Sequence, residues 1–128
     1  MKQILYISFL FFTILSFAQQ AQSTTEYTSI PDPNFEQSLI NLQYDSGVID
    51  GKVLTARITN VTVLDVSNKN ISDLTGIQDF VSLKSLFCNK NQLNSLDVSK
   101  NKDLTNLDCS DNALSSLNVS KNKDLTNL

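Results

Sequence analysis

Leu83-Lys84-Ser85-Leu86-Phe87-Cys88-Asn89-Lys90-Asn91-Gln92-Leu93 returns 21 residues later as Leu104-Thr105-Asn106-Leu107-Asp108-Cys109-Ser110-Asp111-Asn112-Ala113-Leu114. The segments that follow match too: Leu93, Leu96, Val98, Asn101 and Asp103 answer to Leu114, Leu117, Val119, Asn122 and Asp124. Leu125 to Leu128 opens another round, and a looser first copy of 22 residues runs through Leu64, Val66, Ile71, Leu74, Ile77 and Phe80. Self-similarity at this period is the signature of a repeat architecture. Leu86 and Cys88, like Leu107 and Cys109, alternate with polar neighbours at period 2, so each copy predicts a short strand with one buried face. Equivalent strands stack about 4.8 Å apart as a parallel sheet. One coil cannot cover its own leucines, and only its neighbours can, which makes the object a solenoid.

Asn91 and Asn112 stand where the chain must leave the strand, and a buried Asn there can satisfy backbone groups that have lost ladder partners. Asn101 and Asn122 repeat the device on the opposite side. Each coil divides into halves with the same Leu-x-x-Leu-x-(Val/Cys)-x-x-Asn pattern, so both sides are expected to be extended, with no α-helix on the back. In the first copy Leu74, Ile77, Phe80 and Leu83 are spaced by three, which suits 3₁₀ turns.

Upstream, Ile30-Pro31-Asp32-Pro33-Asn34-Phe35 predicts a short helix, with Asp32 as its cap and Pro33 at the first position. Phe35, Leu39 and Leu42 give it one apolar stripe. Turns follow at 45–47 and 50–52. A calcium loop over 45–56 fails, because Gly47 and Ile49 fall where oxygen ligands belong and Ala56 where the bidentate Glu is required.

Leu-x-x-Leu-x-Cys-x-x-Asn-x-Leu, present twice, resembles the leucine-rich-repeat consensus, and the first copy, with Ile71-Ser72-Asp73-Leu74-Thr75-Gly76-Ile77, looks like the internalin-type bacterial version. The pairing of the Pro-Asp-Pro-Asn-Phe-Glu helix with Leu-Asp-Val-Ser-Lys-Asn coils is similar to exported repeat proteins of Bacteroidetes-type bacteria. The resemblance covers residues 30–128. It implies a leucine-rich-repeat solenoid of the α/β class, dominated by a parallel β-sheet of three to four short strands, with an N-terminal capping helix. Against that pattern the first copy is expected to carry its extra residue before Asn70, which places Lys69 or a bulge at the usual Asn position.

Residues 1–18 hold 13 apolar residues, Lys2 and no acid, ending in Ser16-Phe17-Ala18. That is the make-up of a secretory signal peptide cleaved after Ala18, since a membrane span needs about 20 apolar residues. The expected organisation is therefore a signal peptide over 1–18, a flexible leader over 19–29 and an N-terminal cap over 30–60. Repeats then fill 61–82, 83–103 and 104–124, with 125–128 incomplete. Leu125 and Leu128 would leave an apolar cross-section open, so the sequence is expected to be part of a longer protein. An exported, secreted or cell-surface location follows, with no membrane span after the signal is removed.

Composition narrows the chemistry. The 128 residues carry 10 Lys and Arg against 13 Asp and Glu, for a net charge of −3, and no His. Without histidine the commonest general base and metal ligand are gone, two cysteines do not make a zinc site, and an acidic chain is a poor partner for nucleic acid. No catalytic residues, metal ligands or cofactors are expected. Cys88 and Cys109 share an inward column. In an in-register parallel pair their Cβ atoms stay nearly as far apart as the strands, beyond the roughly 3.8 Å that a disulfide prefers. Free, buried thiols are therefore expected over a Cys88–Cys109 bridge. Ser99-x-x-Lys102 and Ser120-x-x-Lys123 imitate a hydrolase motif, but occurring twice in register they reflect duplication. The stacked Lys100, Lys102, Lys121 and Lys123 read as a solvated edge.

The outward strand positions form columns: Val63, Ser85, Asn106; Asp65, Phe87, Asp108; Ser67, Asn89, Ser110; Asn68, Lys90, Asp111. Repeat proteins bind partners on this face. Phe87, exposed among Asp and Ser, is its one aromatic and the foremost candidate contact, with Asp65, Asp108, Lys90, Ser85 and Asn106 around it. The expected function is non-catalytic: protein–protein or adhesive binding of a protein or surface polysaccharide through the sheet face. The alternative is a structural spacer within a longer surface protein, favoured by the near-identical Val-Ser-Lys-Asn-Lys-Asp backs.

Overall fold

The computed structural model describes residues 24–128; the expected signal peptide and its cleavage site lie outside the described residues. The described chain begins with β1 (Tyr27–Ser29), α1 (Pro33–Asn41), β2 (Lys52–Leu54) and α2 (Thr55–Ile58). Three parallel strands follow: β3 (Val63–Asp65), β4 (Ser85–Phe87) and β5 (Asn106–Asp108).

The leader expected over 19–29 does not extend to residue 29. Tyr27, Thr28 and Ser29 pair antiparallel with Leu54, Val53 and Lys52. Polarity along this stretch hides the reason, because the buried side chain is a threonine: Thr28 Oγ1 donates to Asp79 Oδ2 at 2.8 Å, tying β1 to the back of the first coil.

In α1 the Asp32 side chain accepts from the backbone N–H groups of Asn34 and Phe35 at 2.9 and 3.0 Å, and Pro33 opens the helix where its missing N–H costs nothing. Its second carboxylate oxygen reaches the first coil, accepting from Ser72 N, Ser72 Oγ and Asp73 N at 2.8 to 3.1 Å. One side chain thus satisfies the helix N-terminus and a turn of the solenoid 40 residues away in the chain. Phe35 and Leu39 are buried, and the Phe35 ring stacks on Phe80 with centroids 6.4 Å apart. The expected stripe fails at Leu42, which lies beyond the helix end and is 41% exposed. Glu36 is buried in its stead. It accepts from Asp50 N at 2.7 Å and Gly51 N at 2.9 Å, so the loop after the helix closes on a carboxylate of the protein itself.

Register in the parallel sheet follows the repeat: Leu64 pairs with Leu86 and Leu86 with Leu107, and all three are buried. A bridge between Asn106 and Asn127 carries the pairing one coil further. The stretch 93–103 contains no helix, and the back of the first coil contains the 3₁₀ turn Ile77–Asp79. Gly76 precedes that turn with φ 108°, and a Cβ there would collide with Ile30 Cδ1 and lie 2.7 Å from Ser29 O, so the close approach of β1 to the coil demands glycine.

The extra residue of the first coil is not before Asn70. Asn68 N donates to Asn89 O and Gln92 N to Ile71 O, so the front halves of the two coils are equally long and Lys69 stands at the Asn91 position. The insertion lies on the back, between Ile71 and Leu83. Inter-coil hydrogen bonds hold the front register. The 3₁₀ segment keeps the register of the next coil as well, since Asn101 bonds Ile77 O and Phe80 O just as Asn122 bonds Val98 O and Asn101 O, so the extra residue falls before Ile77.

Asn91 replaces the backbone partners lost at the front turn. Its Oδ1 accepts from Lys69 N and Ile71 N, both at 3.0 Å, and its Nδ2 donates to Val66 O and Cys88 O, both at 2.9 Å. Asn112 repeats this one coil on, donating to Cys88 O and Cys109 O and accepting from Leu93 N. On the back, Asn101 donates to Ile77 O and Phe80 O, and Asn122 to Val98 O and Asn101 O.

Burial alone would raise the Asp32 pKa, but the bonds from Ser72, Phe35 and Asp73 outweigh it and hold the carboxyl below the usual Asp range. A depressed folded-state pKa means stability present above the unfolded value and lost as pH falls through the folded one. Asp32→Ala is expected to cost about 2–3 kcal/mol near pH 6, for a helix cap plus its bonds to the first coil. Urea unfolding of the two proteins should show that gap beginning to close as pH drops below about 4; a gap independent of pH would refute the assignment.

Candidate functional site

The outward face of the sheet is built from three short strands, so its columns are set by strand register. Asp65, Phe87 and Asp108 fall directly beside one another, as do Val63, Ser85 and Asn106. Phe87 is half-buried rather than fully exposed, while Asp65 is exposed and Asp108 half-buried.

The two aspartates share a local structure. Asp65 Oδ1 accepts from Ser67 N at 3.0 Å and Ser67 Oγ at 2.6 Å, and Asp108 Oδ1 from Ser110 N at 3.1 Å and Ser110 Oγ at 2.7 Å. An Asp two residues before a Ser makes this turn on its own. The serine hydroxyls, then the serine backbone N–H groups, hold both carboxyls below the usual Asp range. The same device recurs on the back: Asp97 accepts from Ser99 N, Asp73 from Thr75 N and Asn118 from Ser120 N. Within this column Phe87 breaks the series, with Asn89 in place of the serine.

Ser85 and Asn106 belong to a second structure, a carboxamide ladder. Asn127 Nδ2 donates to Asn106 Oδ1 at 2.6 Å, and Asn106 Nδ2 donates to Ser85 Oγ at 3.1 Å. Asn127, absent from the sequence-based candidates, extends this column, and the repeat offset from Asn106 was the signal that could have found it. Lys90 is exposed and occupies a left-handed turn at φ 56°, matched by Asn68 at 54° and Asp111 at 53°. Structure therefore brings Phe87, Asp65 and Asp108 together and gives Ser85 and Asn106 to the ladder, with Lys90 at the turn beyond. An open groove of about 720 Å³ runs from Phe87, Asn106 and Asp108 around the sheet edge to Cys109, Leu117 and Leu128.

Among the described residues, no group of three or more His, Cys, Asp or Glu is placed to hold a metal ion. No helix among them is long and apolar enough to cross a membrane.

Cys88 and Cys109 are both free thiols, the first buried and the second half-buried. Burial pushes the Cys88 thiol up to about 12, with the neighbouring Cys109 and Asp108 adding to the effect. Burial, then the Asp108 charge, raises Cys109 as well.

No family model matches the chain. It is 34% identical over 84 residues to Internalin J of Listeria monocytogenes, an alignment that covers 66% of this chain and 9% of that protein. The solved functional domain of InlJ, which includes a cysteine ladder, superposes with a TM-score of 0.71 at 31% identity, over 80% of this chain and 23% of that one. An InlF structure from the same organism gives a TM-score of 0.70 at 22% identity, over 77% of this chain and 29% of that one, and shows likeness of fold. The chain thus spans less than a tenth of the curated relative. For the thiols of this chain we expect N-ethylmaleimide at pH 7.5 to label Cys109 slowly and Cys88 only on unfolding, since the thiolate is the nucleophile. Equal rates in the folded protein, read by mass spectrometry, would contradict that burial. Repeat pattern, parallel register and likeness in sequence and fold converge: the chain has a leucine-rich-repeat fold similar to that of the internalins of Listeria.

Proposed function

We propose that this chain is a non-catalytic binding module that engages a protein or surface polysaccharide through the outward face of its parallel sheet, centred on Phe87. The observation that carries the reading is the break in the turn series. At Asp65 and Asp108 the column residue closes its own turn through two hydrogen bonds. At position 87 an aromatic ring stands half-exposed, and those bonds are given up. Bonds of this kind stabilise the turn locally, so local stability favours Asp or Asn at this position and recognition favours the ring. The likeness to the internalins supports the same reading at the level of adhesive or protein-binding repeats.

The rest of the organisation follows. Residues 1–18 act as a signal peptide cleaved after Ala18, which delivers the module outside the cytoplasm or to the cell surface. The 30–60 segment, with α1, closes the N-terminal end of the solenoid, where Phe35 and Leu39 cover the first coil; the repeats occupy 61–128. The spacer reading draws on the backs, where Lys100 and Lys102 recur as Lys121 and Lys123, all exposed. A spacer has no use for the break at Phe87.

Phe87→Asn separates the two readings. It deletes the ring, and its carboxamide can accept from the backbone N–H two residues ahead, as Asn118 does from Ser120 N. It does so without stacking a third charge between Asp65 and Asp108. The variant is expected to melt at or slightly above the parent temperature and to lose capture of surface-extract partners by tenfold or more. Full retention of every captured partner would leave the spacer reading standing.

A further inference from the structure

We infer that the Phe87 column selects a single arginine side chain presented by a protein partner, an inference that rests on the sheet face being the binding face. Strand register puts Asp65 on one side of Phe87 and Asp108 on the other, at the spacing of neighbouring strands, about 4.8 Å. Each carboxylate is oriented by its own turn, which engages Oδ1 through Ser67 or Ser110. Neither Oδ2 has a hydrogen-bond partner among the described residues. The ring is equally uncommitted: among those residues the only cation over an aromatic face is Lys52 on Tyr27, and the only ring pair is Phe35 with Phe80.

An aromatic face between two ionised, acceptor-only groups is complementary to a planar group that only donates. Guanidinium has five N–H donors and no acceptor, stacks on rings and pairs with carboxylates. A sugar presents donors and acceptors together, whereas the uncommitted polar atoms of this column, the two Oδ2 atoms, only accept. Two lysines bound the column. Among the described residues Lys69 and Lys90 form no ion pair, so neither carboxylate of the column is neutralised by a salt bridge. Exposed at the turns beyond the column, the same lysines repel a partner with a block of positive charge. The fitting occupant is one arginine among neutral or acidic neighbours.

The test titrates the whole chain with a Ser-Gly-Ser-Arg-Ser-Gly-Ser peptide, its lysine and citrulline counterparts, and an N-acetylglucosamine tetramer, reading backbone amide shifts by NMR. The arginine peptide should give saturable shifts at Phe87, Cys88 and Asp108, with citrulline weaker by about tenfold. Phe87→Ala and Asp108→Asn should each weaken the arginine peptide by a similar factor, and Phe87→Tyr should retain it. Equal binding of citrulline and arginine, or insensitivity to Asp108→Asn, would overturn the inference. Saturation by the sugar alone at these amides would also overturn it and leave the face as a binding surface. So would a response to no probe while partner capture still depends on Phe87; if capture is also independent of Phe87, both readings fall together.

Discussion

A coil of about 21 residues has no second layer of its own. Everything in this protein depends on leucines being covered by the coils above and below. Leu64, Leu86 and Leu107 lie in one column because the strands pair in register, and the pairing persists because a one-residue slip would turn every leucine to the opposite face. The register that buries the leucines also aligns the outward residues, so the core dictates the geometry of the surface. Phe87 stands between Asp65 and Asp108 for no reason other than that Leu86 stands between Leu64 and Leu107.

A coil that turns sharply twice must leave backbone groups without ladder partners, and side-chain amides and carboxylates fill the gaps. Asn91 and Asn112 serve the front turn and Asn101 and Asn122 the back, each linking two coils. The back pair is imperfect: the Oδ1 atoms of Asn101 and Asn122 are buried with no hydrogen-bond partner among the described residues. Asp32 and Glu36 extend the principle to the N-terminal segment. Each is a buried carboxylate that accepts backbone N–H groups from a distant turn, so helix, loop and first coil are joined by polar bonds as well as by Phe35 against Phe80. Acids in these places stabilise only because every one of them is bonded.

The surface obeys the same economy. Asp65, Asp97 and Asp108 look like a supply of negative charge for a ligand, yet each first closes a turn two residues ahead. Ser85 and Asn106, plausible contacts by position, are joined to each other. Within the Phe87 column, what remains without a partner among the described residues is the ring and one oxygen on each flanking carboxylate. A candidate site on a repeat protein is identified by the departure from the repeat rather than by the residues that follow it.

The repeat period, the parallel pairing, the extended backs and the Asp32–Pro33 helix start were legible in the sequence, because each is a local pattern with one physical solution. The columns were legible for the same reason, since a period of 2 on a fixed offset determines them. Other features required the folded chain. Tyr27–Ser29 looks like a polar leader until Asp79, 51 residues from Thr28, supplies a partner. Glu36 looks like a solvated helix residue until the loop at 50–51 turns its N–H groups inward, and Leu42 loses its place in the stripe for the converse reason. The position of the extra residue in the first coil was settled by hydrogen bonds to the next coil, which no count along one strand contains. Sequence alone determined the elements whose partners recur at a constant offset; tertiary structure decided those whose partners come from an unrelated part of the chain, because a side chain's burial is set by what arrives opposite it.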